Sequence, residues 1–227
     1  MIELRLFQNP LFTVNVVTGF ITFLAIAGPG LLMPFYLENV LGYTIRNVGL
    51  MLAVIPVGLG VMAPISGSLS DRFGTRPITL LGLVTLLLGY CAISTLTQST
   101  SALGYILRFA PIGIGMGIFQ SPNNSAIMGS VPRSRLGVAS SLLSITRTLG
   151  QTIGLAVVGA LWAGRVYTYA PESTNATAAP APAQVAALRE TMLVMVTLIV
   201  LAVALSIWGL WQERRAPTTV PARVGEA

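Results

Sequence analysis

The residues whose types and spacing suggest a chemical role are concentrated in one short segment, Gly67–Arg76, with the sequence Gly-Ser-Leu-Ser-Asp-Arg-Phe-Gly-Thr-Arg. The Asp71 carboxylate can cap a helix N-terminus or pair with an arginine, and Gly74 permits a tight turn that other residues disfavour. Arg72 and Arg76 can bind the anionic headgroups of a cytoplasmic leaflet. An ordinary charged loop would explain the arginines alone. The added acid and the spacing of the two glycines favour a loop with a functional role over an ordinary charged loop.

A second group of polar residues follows helical spacing between positions 140 and 151, where Ser144, Arg147 and Gln151 share one face. Arg147 lies about ten residues into an apolar segment, which places it about 15 Å deep in a hydrocarbon core about 30 Å thick. An arginine at that depth costs about 2.5–3.5 kcal/mol and should therefore face protein or water. Two roles stay open. It can form a cavity wall that contacts substrate or a gating partner, or it can be a structural arginine that binds backbone carbonyls of a broken helix.

Polar side chains also occur in the first and fourth apolar segments. Asn15 lies in the first, and Gln120, Asn123 and Asn124 follow i, i+3 and i+4 spacing in the fourth. These side chains can line a substrate path or form hydrogen bonds between helices, which is the commoner role in membranes. Arg108 lies near the outer end of the fourth segment, where an arginine can also snorkel toward the headgroups.

The chain contains no histidine, and none of its seven acidic residues lies in the middle of an apolar segment. Without these groups it has neither a Ser–His pair nor a carboxylate dyad, so we do not expect an enzyme. Cys91 is the only cysteine, no ligand spacing indicates a metal site, and no cofactor is expected. A proton-driven function needs a titratable group within the membrane. That group would have to come from another polypeptide or from a second copy of the chain.

The composition indicates that membrane helices position these residues. Of the 227 residues, 54% are hydrophobic and 9% are charged, against about 25% charged in soluble domains, and the mean hydropathy is +0.79. The net charge of +6 is carried by arginines scattered between apolar runs, which excludes a nucleic-acid-binding face.

We predict an all-α membrane protein with six transmembrane spans, because the apolar segments are long enough for six crossings. The spans are expected at about 12–36, 48–68, 77–96, 103–128, 137–163 and 189–211. Residues 1–211 would form one bundle with a flexible Ala/Pro-rich outer loop at about 167–188. Residues 212–227 would form a cytoplasmic tail.

The arginines divide unequally between the two sides of the predicted bundle. Cytoplasmic loops are enriched in arginine, so the richer side, which carries both termini, is predicted to be cytoplasmic. The richer side has Arg5, Arg72, Arg76, Arg133, Arg135, Arg214, Arg215 and Arg223, and the opposite side has Arg46, Arg165 and Arg189.

Small residues divide the six spans into two groups. Gly and Pro are frequent in the first, second, fourth and fifth spans, whereas the third has few and the sixth is almost uniformly Val, Leu, Met and Ala. Small residues allow close helix approach in lipid, so we expect those four spans to form the packed interior and the other two to lie outside. The span with few small residues is the third in each group of three consecutive spans. Because each group has an odd number of spans, the second group crosses the membrane in the opposite direction to the first. This pattern predicts two inverted three-helix repeats.

The segment Gly67–Arg76 resembles the loop signature of the major facilitator superfamily, G-x-L-(A/S)-D-R-x-G-x-R. Residues 119–128, 131–132, 135–140 and 146–150 resemble the C-terminal half of the fourteen-span drug:proton antiporters. The resemblance covers nearly the whole chain and implies half of a major facilitator fold. A complete transporter would be about twice as long, so the N-terminal half is expected elsewhere. In the family an arginine placed comparably to Arg108 is tied to proton coupling, although the glutamine that usually accompanies it is absent here.

The resemblance implies transmembrane transport in the plasma (inner) membrane. We expect the C-terminal half of a proton-coupled multidrug exporter of small, amphipathic and often cationic compounds, which rocks against a second bundle by alternating access. Asp71 and Arg72 would help to lock its cytoplasmic interface in one state. The expected partners are the lipid bilayer, a small amphipathic substrate, and an N-terminal half-transporter or a second copy of the chain. The alternative is a non-transporting membrane subunit, or a truncated remnant, that only assembles with a partner.

Overall fold

The structure, a computed structural model, describes residues 4–215 as a bundle of long helices, and no strand occurs among these residues. The helices are α1 (Pro10–Phe35), α2 (Ile45–Leu52), α3 (Val54–Phe73), α4 (Thr75–Ile93), α5 (Ala102–Gly129), α6 (Leu136–Tyr169) and α7 (Ala181–Arg215). α1 continues as a π-helical turn, Tyr36–Val40, and only Ala53 separates α2 from α3. The end of the bundle that carries the α3–α4 turn is called the proximal end below, and the opposite end is called the distal end.

Six stretches of the described chain are long and apolar enough to cross a membrane, which agrees with the six predicted spans. They are Pro10–Val40, Ile45–Phe73, Thr75–Ile93, Ala102–Gly129, Arg133–Tyr169 and Ala181–Gln212. The last two are 37 and 32 residues long, whereas about 20 residues cross the hydrocarbon, so these helices project beyond it. The predicted tail is helical up to Arg215 and then lies outside the described residues.

The connection between α6 and α7 is shorter than the predicted loop at 167–188. Both helices extend into that range, so the connection covers residues 170–180. The buried Gln184 amide nitrogen donates to the carbonyl oxygens of Thr177 at 3.2 Å and Ala179 at 2.7 Å. Ala and Pro content alone predicts a flexible loop, but these tertiary hydrogen bonds hold the segment against α7.

The same connection joins the distal ends of three helices. Trp162 of α6 stacks on Phe35 of α1, with ring centroids 6.1 Å apart, and its indole N–H donates to the Gln184 carbonyl at 3.4 Å. The Asn39 amide in the π-helical turn donates to the Thr177 carbonyl at 3.1 Å. These contacts fix the end of α1 against α6 and α7.

The first three spans are α1, α2–α3 and α4, and the last three are α5, α6 and α7. If each span of the first triplet is exchanged with its counterpart in the second, the same pairs of helices are in contact. α1 packs along α6, and α5, the counterpart of α1 in the second triplet, packs along α3. In the same way α1 packs on α7, and α5 packs on α4. This equivalence is the packing expected for two inverted three-helix repeats, so the predicted fold is confirmed.

Glycines form the two equivalent crossings. Where α5 meets α3, a Cβ on Gly113 would lie 2.5 Å from the Ile55 carbonyl oxygen. Where α6 meets α1, a Cβ on Gly154 would lie 2.2 Å from the Leu24 carbonyl oxygen. Real Cβ atoms do not approach so closely, and glycine therefore permits the backbones of these helices to touch.

The predicted division into four interior and two outer spans is only partly right. The third span, α4, is 44% buried over its apolar window, whereas the second span, α2–α3, is 11% buried. α4 packs along α5 at Gly82, Gly89 and Gly115, where a Cβ would clash. Gly60 of α3, in contrast, has nothing within 4 Å of its Cβ position. Small residues therefore mark both tight crossings and open faces, and composition does not separate the two.

Candidate functional site

The segment Gly67–Arg76 is helical on both sides of a one-residue turn and is not the loop that its composition predicts. α3 extends to Phe73 and α4 begins at Thr75. Between them Gly74 has φ 88° and ψ 154°, a conformation that favours glycine, and its N–H donates to the Ser70 carbonyl at 2.9 Å. Gly74 thus forms the tight turn that was predicted for it, and so short a connection leaves α3 and α4 little freedom to move apart.

The charged residues of this segment lie at the proximal surface. Asp71 and Arg72 are exposed, and the cap or ion pair predicted for Asp71 is not found within the described chain. Arg76 lies against α7, where Gly209 leaves room for it: a Cβ on Gly209 would lie 3.1 Å from Arg76 Nη1. Gly67 faces α5. The segment therefore packs on its neighbours through Gly67 and Arg76 and leaves Asp71 and Arg72 accessible.

A small cleft opens where α1, α5 and α6 meet. Its lining is mostly apolar, with two polar side chains that are 1% and 9% exposed, those of Asn123 and Thr146. The lining residues are Val16, Gly19, Phe23, Asn123, Ile127, Leu143 and Thr146. An apolar wall with a few convergent polar groups is the usual composition of a small-molecule site.

Arg147 borders this cleft through Phe23. Its Cζ lies 5.1 Å from the centroid of the Phe23 ring, a cation–π contact worth about 0.5–2 kcal/mol. The Arg147 Nε is buried and has no hydrogen-bond acceptor among the described residues. α6 is unbroken around it, and within residues 4–215 no carbonyl accepts a bond from its guanidinium. Within the described residues, Arg147 is therefore not a structural arginine that binds the backbone carbonyls of a broken helix.

Further buried polar atoms near the cleft lack partners within the described chain. They are Asn123 Oδ1, Asn124 Oδ1 and Thr18 Oγ1. Gly19 of α1 makes room for the Asn123 amide, whose nitrogen would lie 3.3 Å from a Cβ on that glycine. An unsatisfied buried polar atom costs about 1–3 kcal/mol, and native structures contain few of them. Of these residues Asn123 lines the cleft, and Thr18 and Asn124 directly precede or follow the lining residues Gly19 and Asn123 in the chain, so water in the cleft can supply a partner for the Asn123 oxygen.

The other predicted path residues lie away from the cleft. Ser144 and Gln151 are exposed on the open face of α6, and the Ser144 hydroxyl donates to the Ser140 carbonyl at 3.1 Å. Asn15 is buried and Gln120 is half-buried, each about a turn before a lining residue, but neither lines the cleft. Asn15, Gln120, Ser144 and Gln151 all lie on helices that form the cleft. Helical spacing alone did not show which face of each helix lines the cleft.

Arg108 lies at the distal end of the bundle. Its Nε donates to Thr95 Oγ1 and its Nη1 donates to the Gly104 carbonyl, both at 3.0 Å. Thr95 follows α4, and Gly104 lies in the first turn of α5. The arginine therefore ties the two helices together where they are connected. These contacts favour an interfacial role over the coupling role that the resemblance implies.

Of the seven residues that line the cleft, sequence reasoning identified only Asn123, and the six that it missed include Gly19, Phe23 and Thr146. A phenylalanine or glycine inside an apolar helix carries no polar signal, so only the contact with a neighbouring helix identifies it. Thr146 could have been suspected because it directly precedes Arg147. In the part of the chain that the structure describes, no group of His, Cys, Asp and Glu side chains could hold a metal ion.

The fold and the cleft define a class of protein, the polytopic helical bundles from which alternating-access transporters are built. The sequence profile of the Major Facilitator Superfamily matches residues 4–155. The chain belongs to that family and is an integral membrane protein.

Several curated transporters are similar in sequence. The uncharacterized transporter YebQ of Escherichia coli is 36% identical over 158 residues, which are 70% of this chain and 35% of YebQ. The multidrug resistance protein Stp of Mycobacterium tuberculosis is 33% identical over 163 residues, 72% of this chain and 30% of Stp. The riboflavin transporter RibZ of Clostridioides difficile is 31% identical over 162 residues, 71% of this chain and 36% of RibZ. The chain spans about a third of the length of these relatives. The family and these relatives are transporters and not enzymes.

A solved structure has the same fold. The chain superposes on the Escherichia coli fucose:proton symporter FucP with a TM-score of 0.70 and 15% sequence identity. The match covers 86% of this chain and 48% of FucP, so the described bundle corresponds to about half of a major facilitator fold.

Proposed function

We propose that the chain is the C-terminal six-helix lobe of a proton-coupled exporter of small amphipathic compounds, which works by alternating access with a second bundle. The main support for the proposal is that the outer sides of α3 and α6 expose polar and small residues that no other described helix covers. On α6 the exposed side chains of Ser144, Thr148 and Gln151 form a row, and on α3 the backbone at Gly60 is uncovered. Such faces need protein or water, whereas an exposed residue such as Leu193 of α7 suits lipid.

Export of small compounds is supported by the cleft and by the relatives. The cleft combines an apolar wall with a few unpartnered polar atoms, which fits molecules with an apolar body and one polar group. One similar protein is named a multidrug resistance protein, and another is named a riboflavin transporter. Both names agree with a substrate of this general size and character.

The proposed proton carrier lies in the second bundle. Among the described residues, Glu38, Asp71, Glu172 and Glu190 all lie toward the two ends of the bundle, and Glu190 pairs with Arg165 at 3.0 Å. None of the four lines the cleft. Because coupling needs a titratable group that can alternate between the two sides, we place it outside this lobe.

We also propose that the lobe lies in the plasma (inner) membrane with both termini in the cytoplasm. The support is the charge asymmetry of the bundle, because loops rich in arginine stay cytoplasmic. Near the ends of the described helices, four arginines are proximal (Arg72, Arg76, Arg133 and Arg135) and four are distal (Arg46, Arg108, Arg165 and Arg189). The excess on the proximal side comes from the two terminal segments of the sequence, which contain Arg5, Arg214, Arg215 and Arg223.

Co-reconstitution tests the proposal. The chain is placed in liposomes with and without a candidate N-terminal half, and the efflux of ethidium and of carboxyfluorescein is followed under an imposed pH gradient. Efflux of either dye is expected only when both bundles are present and only with the gradient. Efflux by the chain alone would defeat the claim that it lacks its own coupling group. A stable complex of the two bundles that moves neither dye would favour the non-transporting subunit.

A further inference from the structure

Arg147 carries a positive charge to membrane depth on α6. It lies about 18 Å of helix from Arg135, at the proximal end, and about 27 Å from Arg165, near the distal end. It is therefore well inside a hydrocarbon core about 30 Å thick. Within residues 4–215 its guanidinium makes no ion pair and no hydrogen bond. An arginine at that depth needs protein or water around it, and carboxylates are among its usual partners.

The guanidinium of Arg147 has an enclosed part and an accessible part. Its Nε is buried, and the Phe23 ring of α1 lies 5.1 Å from its Cζ. Both Nη nitrogens, in contrast, reach the surface of the described bundle. By helical spacing Arg147 shares this face of α6 with the exposed residues Ser144, Thr148 and Gln151. The two Nη groups are therefore the part of Arg147 that a covering bundle would meet.

A second bundle on this face would enclose the charge. The exposed apolar residues Ile145 and Leu149 lie beside the polar row on α6, so a bundle that packs there would exclude water from the Nη groups. A buried charge without a counter-charge is costly. A carboxylate accepts two parallel N–H bonds from the planar fork of an arginine and balances its charge. Hydroxyl or amide groups would accept hydrogen bonds but leave the charge unbalanced.

A second copy of this chain could not supply that carboxylate. The described acids, which all lie toward the two ends of the bundle, are Glu38, Asp71, Glu172 and Glu190. The other acids of the sequence, which belong to its terminal segments, are Glu3, Glu213 and Glu226. None of the seven would reach the depth of Arg147, whichever way a second copy crossed the membrane.

We propose that the face of α6 around Arg147 docks against a second bundle that has a carboxylate at mid-membrane depth, and that the Nη groups of Arg147 form an ion pair with it. The inference rests on the proposed function and deepens it. It names a chemical property of the second bundle and excludes a second copy of this chain in that role. The second bundle can belong to the same polypeptide or to another one.

The test offers this face a carboxylate in a defined probe. The probe is a synthetic membrane-spanning peptide of leucine and alanine, with one glutamate at its centre and a cysteine one helical turn away. A matched peptide has glutamine in place of the glutamate. In a chain whose Cys91 is replaced by serine, Thr148→Cys places a thiol on the exposed face beside Arg147. The yield of disulfide with each peptide is measured in phosphatidylcholine liposomes at mildly alkaline pH. The control is Val84→Cys, at an exposed position midway along α4.

At Thr148→Cys the glutamate peptide should give about tenfold more disulfide than the glutamine peptide, the equivalent of one charged hydrogen bond. At Val84→Cys the two peptides should react equally. Arg147→Gln should abolish the preference, and Arg147→Lys should retain it, which separates a charge effect from a folding defect. In an Arg147→Glu chain, a peptide with a central arginine should react best.

Three results would overturn the proposal. They are equal yields of the two peptides at Thr148→Cys, a preference that survives Arg147→Gln, and a glutamate preference of the same size at Val84→Cys. The cross-linking needs only this chain and the peptides. Liposome efflux that fails with a candidate N-terminal half while the glutamate preference stands would therefore reject the exporter and keep the ion pair. Efflux that succeeds while the preference is absent would keep the exporter and reject the ion pair.

Discussion

Two arginines, Arg108 and Arg147, lie within predicted spans, and their surroundings differ at the level of single atoms. Arg108 donates two hydrogen bonds at 3.0 Å, one to Thr95 in the α4–α5 connection and one to the Gly104 carbonyl in the first turn of α5. Arg147 touches an aromatic ring and keeps a buried nitrogen unpartnered. A satisfied arginine stabilises a helix connection, whereas an unsatisfied one is available to a ligand. The same residue type therefore supports two different expectations, one at the end of a span and one near its middle.

Arg108→Gln should lower the free energy of unfolding by about 1 kcal/mol, since it removes hydrogen bonds from a charged donor at a partly solvated position. Efflux by the assembled transporter should keep its dependence on the pH gradient. Thermal unfolding in detergent and the liposome assay measure the two quantities. Arg46→Gln is the matched control, because Arg46 is exposed and bonds to nothing else in the described chain. Uncoupled efflux in the Arg108 variant would restore the coupling role that the resemblance implies.

Asp71→Asn should reduce transport by the complete assembly about tenfold, the equivalent of one charged hydrogen bond. The chain itself should express and unfold normally, because within residues 4–215 the Asp71 carboxylate has no partner to lose. Its exposed position at the end of α3 leaves it available to a second bundle. The exposed Glu172→Gln serves as the control for loss of an acid. Unchanged transport in the Asp71 variant would count against the gating role.

Residue types in the sequence predicted part of this chemistry. The Gly74 turn and the placement of Arg147 and Asn123 at membrane depth follow from glycine conformation and from the cost of burying polar groups. Phe23 and Thr146 could not be found in that way, because their role depends on which faces of α1 and α6 meet. The outward position of Ser144 and Gln151 depends on the same packing. Periodicity identifies a helix face but not the neighbour of that face.

At the scale of the helices, backbone contacts at glycines determine the architecture. The α1–α6 and α3–α5 crossings are equivalent under exchange of the two triplets, and each depends on glycines that admit no Cβ. Hydropathy located all six spans, since the bilayer demands apolar length. It did not locate their ends: α6 and α7 extend into the predicted loop, and Gln184 of α7 donates hydrogen bonds to Thr177 and Ala179 in the short connection. It also did not predict that α4 is better buried than α3.

Gly154→Ala should destabilise the bundle by about 1–3 kcal/mol, the range for overpacking a well-packed contact. The added methyl would lie 2.2 Å from the Leu24 carbonyl oxygen, so α1 and α6 would have to separate. Gly164→Ala on the same helix has open space around its Cβ position and should leave stability unchanged or slightly higher. Size-exclusion chromatography after graded heating compares the two. Equal stability of both variants would show that the α1–α6 crossing does not depend on close backbone approach.

At the scale of the whole molecule, the bundle is closed on some sides and open on others. The α2–α3 span is 11% buried over its apolar window, and exposed polar residues occupy the open face of α6. The sequence predicted six spans and an expected second bundle, but it did not show which helices would face that bundle. The structure supplies the candidates, because α3 and α6 are equivalent in the two repeats and both present small or polar residues outward. The predicted cytoplasmic position of the termini stays a prediction.

A spin label on Gly60→Cys, in a chain whose Cys91 is replaced by serine, should lose mobility when a second bundle assembles with this one. Gly60 has nothing within 4 Å of its Cβ position, so the label is accommodated in the isolated chain and becomes confined only if a partner covers α3. A label on Leu88→Cys provides the comparison, because Leu88 is 63% exposed on α4, a helix whose outer face we expect to remain in lipid. Electron paramagnetic resonance spectra, recorded with and without the candidate N-terminal half, measure the mobility of both labels. If the bundles co-purify while the Gly60 label stays mobile and the Leu88 label does not, the second bundle binds through α4, and the open faces of α3 and α6 are not the central interface.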